Sequence, residues 1–233
     1  MNTARIAASS GVAAVGFPVV AKASPAAARK TVTLLAAVSL ALGLFTGPAA
    51  ALAGPEDSVH NLYDTLLSTM KDGRTLGQSG RFARIKPVIL RLFDLSRMTR
   101  LAVGASWASL SPAQQQQVET AFGDYISATY ADRFDSYSGQ QLEVTRRQSS
   151  GVDVLVGTRI VKPGGEPVGI AYLMHQNDGA WQIADVYLDG AISQLATQRS
   201  EFGAILRREG FDGLVTTLNR KVNLLTGNVA RAW

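Results

Sequence analysis

Four short segments with a two-residue hydrophobic period constrain the fold of this 233-residue chain more than any other feature. They are Gln141–Gln148, Val152–Val161, Pro167–Gln176 and Trp181–Leu188. Short stretches rich in Gly, Ser, Asn and Asp, typical of turns, separate them. Because strands joined by such short turns pair in sequential antiparallel order, the pattern predicts a four-stranded meander.

One face of this predicted sheet is apolar. Its two central rows are Val152, Val154, Val156, Thr158 and Ile160, and Val168, Ile170, Tyr172 and Met174. The opposite face carries the more polar Asp153, Arg159 and His175. A sheet with one apolar face must pack that face against another layer. The rest of the chain is therefore expected to supply covering helices.

Helical periodicity lies on both sides of the strands. The predicted helices begin near Pro55, Ser79, Asp94 and Pro112 before the sheet, and at Ala191 and Phe211 after it. Pro87 should divide or kink the second helix. Ser111 is predicted to cap the fourth helix. Pro112 suits its first position, and Gln114, three residues after the serine, can complete a capping box. The predicted class is α+β, with a curved four-stranded antiparallel sheet at about 140–189 cupped by N- and C-terminal helices.

The first 53 residues resemble a secretory leader. They contain four basic residues and no acidic residue, then the apolar run Thr31–Phe45 and the small-residue sequence Ala51-Leu52-Ala53. A positive segment, an apolar segment and an A-x-A site together predict a cleaved signal peptide over 1–53 and one domain over 54–233. The alternative is a retained membrane anchor, although the apolar run is shorter than the ~20 residues of a spanning helix.

Composition removes several classes of function. Residues 54–233 are close to neutral and contain no concentrated basic patch, which argues against nucleic acid as a partner. The chain has no cysteine, so thiol nucleophiles and thiolate metal sites are excluded. The motifs of zinc proteases, serine hydrolases and nucleotide-binding proteins are missing from the sequence. We therefore predict no catalytic residues, no metal ligands and no cofactor.

Two open questions remain at this level. The histidines, His60 and His175, leave room for an enzyme with a His–carboxylate pair. The bulky apolar residues can line a ligand cavity or form an ordinary core, and periodicity alone favours the core. These residues include Phe93, Met98, Trp107, Phe122, Tyr125, Tyr130, Tyr172 and Trp181.

The C-terminal half then changes that balance. Trp181-Gln182-Ile183-Ala184-Asp185-Val186-Tyr187-Leu188-Asp189-Gly190 runs into Ile192-Ser193 and Arg199-Ser200-Glu201-Phe202. This stretch resembles the W-x-I-x-D-V-x-I-E-G-V-S…R-x-x-F signature of the MlaC family, the periplasmic lipid-binding components of maintenance-of-lipid-asymmetry (toluene-tolerance) transport systems. Upstream, Phe93-Asp94, Met98, Leu101-Ala102, Gly104, Trp107, Ser111-Pro112 and Tyr130 resemble the rest of the family pattern. The Asp189–Ser193 stretch is one residue longer than the family's E-G-V-S and looks closer to the hopanoid-associated HpnM branch.

The resemblance implies a nuclear-transport-factor-like curved sheet, a periplasmic location and a lipid as the only ligand. The lipid is a phospholipid or a hopanoid. The implied partners are an inner-membrane ABC transporter with a lipid-binding ring and an outer-membrane lipoprotein complex. The expected cavity-lining residues are Phe93, Met98, Leu101, Trp107, Phe122, Tyr125, Ile126, Tyr130, Val154, Val156, Ile170, Tyr172, Ile183, Ile192 and Phe202.

Three functions are compatible with this sequence. A lipid carrier requires a hollow between the sheet and the helices. A small isomerase or dehydratase of similar fold requires His175 beside a carboxylate inside the cone, and only fold analogy supports it. A protein adaptor without a ligand requires a filled core. Asp185 and Arg199 are expected to orient the structure rather than to bind lipid.

Overall fold

The structure is a computed structural model that describes residues 54–227. The predicted leader over 1–53 and the last six residues lie outside the described residues. The elements in chain order are α1 (Pro55–Lys71), α2 (Gly73–Leu92), α3 (Leu95–Val103), a 3-10 helix (Gly104–Ser109), α4 (Pro112–Arg133), β1 (Gln141–Ser150), β2 (Asp153–Val161), β3 (Val168–Asn177), β4 (Ala180–Leu188), β5 (Ile192–Ser193) and α5 (Gln194–Thr226). The predicted order of helices, strands and helices is confirmed.

The sheet is an antiparallel meander in the order β1-β2-β3-β4-β5. It has five strands where the sequence predicts four. The extra strand arises because Asp189 and Gly190 both adopt positive φ, 51° and 73°, and reverse the chain after β4. Ile192 then pairs with Leu188, so the predicted helical start at Ala191 is wrong. Helix α5 begins at Gln194, with the side chain of Ser193 as its N-cap.

The inward face of the sheet follows the predicted alternation. In register, Val154 lies opposite Met174, Val156 opposite Tyr172, and Thr158 opposite Ile170. Opposite residues of paired strands share a face, so these side chains form one continuous surface.

One predicted member of that row is placed elsewhere. Val152 lies in the turn before β2 and is 85% exposed.

Two irregularities in register help to bend the sheet. One is in β1, where Thr145 has no partner in β2, and the other is in β4, where Ala184 has no partner between Leu173 and Met174 of β3. An extra residue in one strand increases the local twist and bends the strand. Such bends agree with the curved sheet that the family resemblance implies. The apolar face of the sheet is the one that the helices cover.

The helices differ from prediction mainly at proline and glycine. Helix α2 keeps helical dihedral angles through Pro87, and its break lies at Gly77, with φ 59° and ψ −174°. The predicted kink at Pro87 is therefore wrong. Pro87 is exposed, so water can reach the carbonyl group that its missing N–H leaves free. Gly210, with φ 68°, divides α5 at the position predicted to separate two helices.

The most deeply buried part of the interior includes the facing sides of α1 and α2, together with Leu214 from the second half of α5. Its fully buried aliphatic residues include Val59, Leu62, Leu66, Ile85, Ile89 and Leu214. Nearby, the buried Arg81 donates from Nε to the carbonyl oxygen of Ala131, at 2.9 Å, and from Nη1 to that of Gly73, at 3.2 Å. These bonds fix the C-terminal end of α4 against α2.

Candidate functional site

A cavity of about 480 Å³ lies between α4, the inward face of the sheet and the start of α5. Small-molecule sites in proteins commonly measure about 300–1,000 Å³. From α4 the lining residues are Phe122, Tyr125, Ile126, Thr129, Tyr130 and Arg133. From the sheet and the β2–β3 turn they are Ile160, Lys162, Val168, Ile170, Tyr172, Val186 and Leu188. The remainder are Met70, Phe93, Met98, Phe134, Asp135, Ser136, Gln140, Gln194, Leu195 and Gln198.

The periodicity of each element explains how its residues reach the cavity. The α4 residues lie three or four positions apart, which places them on one face of the helix. In the sheet, Val186 lies opposite Tyr172 and Leu188 opposite Ile170, so β3 and β4 present a common surface. The result is a cavity lined mainly by hydrocarbon and aromatic side chains, with Thr129, Gln140, Gln194 and Gln198 as uncharged polar members of the lining.

Aromatic pairs support the wall of the cavity. The rings of Phe93 and Tyr130 meet edge to face at 5.7 Å between centroids, and Tyr130 stacks on Phe134 at 5.7 Å. Below them, Phe122 meets Phe202 edge to face at 5.1 Å. These are favourable geometries for ring pairs, and each ring holds the next in place. The rigid rings therefore resist collapse of the helical wall into the open space.

The rim of the cavity is polar. Arg133 at the end of α4, Lys162 in the β2–β3 turn, and the neighbouring Asp135 and Ser136 are all exposed. Among residues 54–227, neither Arg133 nor Lys162 takes part in an ion pair. With Arg133, Lys162 and Asp135 at its edge, the cavity has a rim with a net charge of one positive, which suits an amphiphile whose polar end carries negative charge.

Three tyrosines meet near the inner wall: Tyr130 and Tyr172 line the cavity, and Tyr63 packs against Tyr172. The hydroxyl group of Tyr63 donates to Oγ1 of Thr158 at 2.5 Å, and Thr158 donates to the carbonyl oxygen of Ile170 at 2.8 Å. Burial raises the pKa of Tyr63, Tyr130 and Tyr172 above the ordinary value for tyrosine. All three hydroxyl groups are therefore neutral at physiological pH.

Eight of the fifteen predicted residues line the cavity. They are Phe93, Met98, Phe122, Tyr125, Ile126, Tyr130, Ile170 and Tyr172. Their contact with a lipid stays a prediction. Four others, Val154, Val156, Ile183 and Phe202, are buried in the packed core next to it. Trp107 packs against that core from the 3-10 helix.

Two of the residues predicted to line the cavity lie on the surface instead, and the prediction is corrected for both. Leu101, on the outer side of α3, is 40% exposed, and Ile192, in the short edge strand β5, is 55% exposed. Sequence reasoning also missed lining residues that a simple signal could have found. Phe134 lies four residues after Tyr130, and Ile160 and Val168 belong to the predicted inward rows.

The His–carboxylate pair exists but does not line the cavity. His175 Nδ1 lies 2.6 Å from Asp153 Oδ1, and Arg97 contacts the other carboxylate oxygen at 3.3 Å. Strand alternation places Asp153 and His175 on the face opposite Val154 and Met174. His60 is exposed on α1. Within the described range, no group of three His, Asp or Glu side chains could hold a metal ion.

The two residues expected to orient the structure have different surroundings. Asp185 accepts hydrogen bonds from Ser193 Oγ at 2.6 Å and from the backbone N–H of Leu195 at 3.0 Å, which ties β4 to the start of α5. Arg199 lines a second, smaller recess of about 270 Å³ beside Gly104 and Arg207. That recess shares no lining residue with the larger cavity.

Comparisons with known proteins decide the family. A family model described as MlaC protein matches residues 60–220, which is most of the chain. This chain belongs to the MlaC family. The predicted resemblance is confirmed at this level, whereas the HpnM branch stays a prediction.

A solved structure of an MlaC-like protein supports the fold. The chain is similar to the phospholipid-binding protein from Ralstonia solanacearum, whose structure holds a phospholipid. The TM-score is 0.65 at 26% identity, over 74% of this chain and 99% of the other. The predicted nuclear-transport-factor-like α+β fold is confirmed. No helix within 54–227 combines the length and hydropathy that a membrane-spanning segment needs.

Proposed function

We propose that this MlaC family member is a periplasmic carrier that holds the acyl chains of a phospholipid in the cavity between α4 and the sheet. The observation that carries the proposal is an apolar hollow of about 480 Å³ in a fold shared with a protein solved in complex with a phospholipid. A protein adaptor without a ligand requires a filled core, so the hollow argues against that alternative.

The energetics of lipid transfer explain why a hollow protein is sufficient. Each methylene group kept out of water is worth about 0.8 kcal/mol, so a sixteen-carbon chain costs on the order of 10 kcal/mol to expose. A wall of apolar side chains removes most of that barrier. Because no bond forms or breaks, carriage requires no catalytic group, and we propose that the protein is not an enzyme and needs no cofactor.

The rim accounts for the polar end of the lipid. Arg133 on α4 and Lys162 in the β2–β3 turn both line the edge of the cavity. With the chains inside, the phosphate remains at this edge, where a guanidinium and an ammonium group favour it. A hopanoid, which is the alternative lipid, would have to offer its own polar groups at the same edge.

The proposed partners follow from family membership. They are an inner-membrane ABC transporter with a lipid-binding ring and an outer-membrane lipoprotein complex. The sequence of this chain contains no nucleotide-binding motif. We therefore propose that any direction of transport is set by such a partner.

Native mass spectrometry of the protein purified from a Gram-negative periplasm, followed by extraction and lipid analysis, tests the proposal. The expected result is a mass excess that corresponds to one phospholipid, released by organic solvent. A hopanoid in the extract would correct the identity of the lipid. Protein that carries no lipid when purified and takes up none from phospholipid vesicles would contradict the carrier function.

A further inference from the structure

Unpaired buried polar atoms are concentrated at the cavity. Within residues 54–227, three buried side-chain atoms lack a hydrogen-bond partner: Asp124 Oδ1, Tyr172 Oη and Gln198 Oε1. The first lies 2.6 Å from the ammonium group of Lys86 and is paired as an ion. The other two both belong to cavity-lining residues. Buried polar atoms normally have partners, so two exceptions in one cavity indicate groups that a ligand satisfies.

The surroundings of Tyr172 explain why its hydroxyl group stays unpaired. The side chain is fully buried on the inward face of β3, and the ring of Tyr63 packs edge to face against it at 6.0 Å. The hydroxyl hydrogen of Tyr63 is already donated to Thr158. On α4, the hydroxyl group of Tyr130 is a second phenolic neighbour of Tyr172. A phenol can both donate and accept one hydrogen bond. The phenol of Tyr172 lies near the hydroxyl groups of Tyr63 and Tyr130, which contribute to its raised pKa, but it makes no hydrogen bond of ordinary geometry with either.

Gln198 provides a second polar group from the helical wall. It lies on the first half of α5, one turn after Gln194, and both side chains line the cavity. Its amide oxygen is buried without a partner. A glutamine amide presents either its oxygen or its nitrogen after a half turn, so the position can accept or donate a hydrogen bond.

We propose that Tyr172 and Gln198 bind an oxygen atom of the lipid inside the apolar cavity. This inference rests on the proposed carrier function and adds a rule of selectivity to it. The class of ligand is a lipid with an ester carbonyl or a hydroxyl group at that depth. The phenol of Tyr172 donates to a carbonyl oxygen, whereas the amide of Gln198 accepts from a hydroxyl group. A lipid with only hydrocarbon at this depth leaves both groups unpaired and binds less tightly.

Competition between matched lipids tests the inference and separates the two sources of oxygen. One pair is a phosphatidylglycerol with ester-linked chains and its ether-linked analogue with the same chains. The other pair is a phosphatidylglycerol with a hydroxylated acyl chain and its counterpart without the hydroxyl group. Equal amounts of each pair are offered to delipidated protein, and native mass spectrometry gives the ratio of bound species. Wild-type protein should prefer the oxygen-rich member of at least one pair by about fivefold, the ratio that one net hydrogen bond provides.

Variants then assign the preference to the two side chains. Tyr172→Phe and Gln198→Leu each remove the polar atom and keep most of the shape. At least one should lower the preference to a ratio near one while the thermal midpoint stays close to that of the wild type. Tyr137→Phe and Gln116→Leu are the matched controls, because both residues lie outside the cavity and Gln116 and Tyr137 are exposed.

Three outcomes decide the matter. Loss of preference in Tyr172→Phe or Gln198→Leu, with the preference kept in both controls, supports the inference. A wild-type ratio near one in both pairs overturns it and leaves the carrier function intact, as does a preference that both cavity variants retain. Failure of wild-type protein to bind any member of either pair overturns the carrier function itself, and the inference with it.

Discussion

The two halves of the apolar interior have similar polarity but different shapes. Around α1 and α2, branched and unbranched aliphatic side chains such as Leu62, Leu66 and Ile89 interlock with no exposed surface. Between α4 and the sheet, rings such as Tyr130 and Phe134 contact one another and leave about 480 Å³ open. The difference shows that hydrophobic periodicity locates an apolar face, whereas the shape and stiffness of the side chains decide whether the space behind it is filled.

A charge placed in the hollow half should have a stronger effect on lipid binding than any other substitution considered for this interior. Ile170→Glu puts a carboxylate on the inward face of β3, where it would meet lipid hydrocarbon. The penalty for such an ion is several kcal/mol, so lipid retention should fall at least about a hundredfold. Val152→Glu, at an exposed turn position next to the same sheet, is the control.

Lipid extraction after purification measures this effect, and circular dichroism verifies the fold. The account predicts a folded Ile170→Glu protein without lipid and a Val152→Glu protein with the normal amount. Normal lipid content in folded Ile170→Glu protein would contradict the placement of the chains against β3.

Truncation should separate the two halves by their stability. Leu66→Ala leaves a void in the filled half and should lower the free energy of unfolding by about 2–5 kcal/mol. Ile126→Ala enlarges a space that is already open and should cost less than about 1.5 kcal/mol in the lipid-free protein. Urea denaturation of delipidated protein measures both values. Equal losses would mean that the wall around Ile126 is as tightly packed as the core.

Alkaline pH should destabilise the boundary between the halves, where Tyr63 and Tyr172 pack together. Burial raises the pKa of both hydroxyl groups in the folded state, so above about pH 10 the unfolded chain releases protons that the folded chain retains. Stability is therefore fully present below pH 10 and is lost as the pH rises, by at most about 1.4 kcal/mol per pH unit for each tyrosine, until the pH passes the folded-state pKa of that tyrosine. Unfolding free energies of wild type and Tyr63→Phe at pH 8 to 11 measure this; parallel curves would contradict the assignment.

The smallest expected effect concerns the rim of the hollow half. Neutralising both cations in an Arg133→Gln, Lys162→Gln variant should weaken binding of anionic phospholipids by at most about fivefold, because exposed charges interact weakly. Binding of a zwitterionic phospholipid should change less, and added salt should reduce the difference. Fluorescent-lipid titration at two salt concentrations measures these effects. A loss that is equal for both headgroups would assign the two residues to the fold instead.

Local chemistry made the helices and strands predictable. The capping box at Ser111 and Gln114 forms as expected, and the alternation of β2 and β3 gives the observed register. Failures occurred where tertiary context decides. Pro87 is accommodated on an exposed helix face, and the reversal at Asp189 and Gly190 adds a strand that no periodicity indicates.

The candidate site was predictable only in part, for a related reason. Residues on strongly periodic faces, such as Phe122 and Ile170, line the cavity as expected. Their counterparts Val156 and Phe202 share the same patterns but lie under neighbouring side chains in the packed core. A sequence pattern identifies the apolar face and does not distinguish the part against an open space from the part against another side chain. The polar lining residue Gln198 gave no signal at all.

A crystal structure of the protein purified with its natural lipid would show where the acyl chains lie. We expect continuous density for hydrocarbon chains between Phe122 and Ile126 on α4 and Ile170 on β3, with the polar headgroup near Arg133 and Lys162. A lipid-loaded protein in which this space is closed by its own side chains, with the lipid bound elsewhere, would contradict the account.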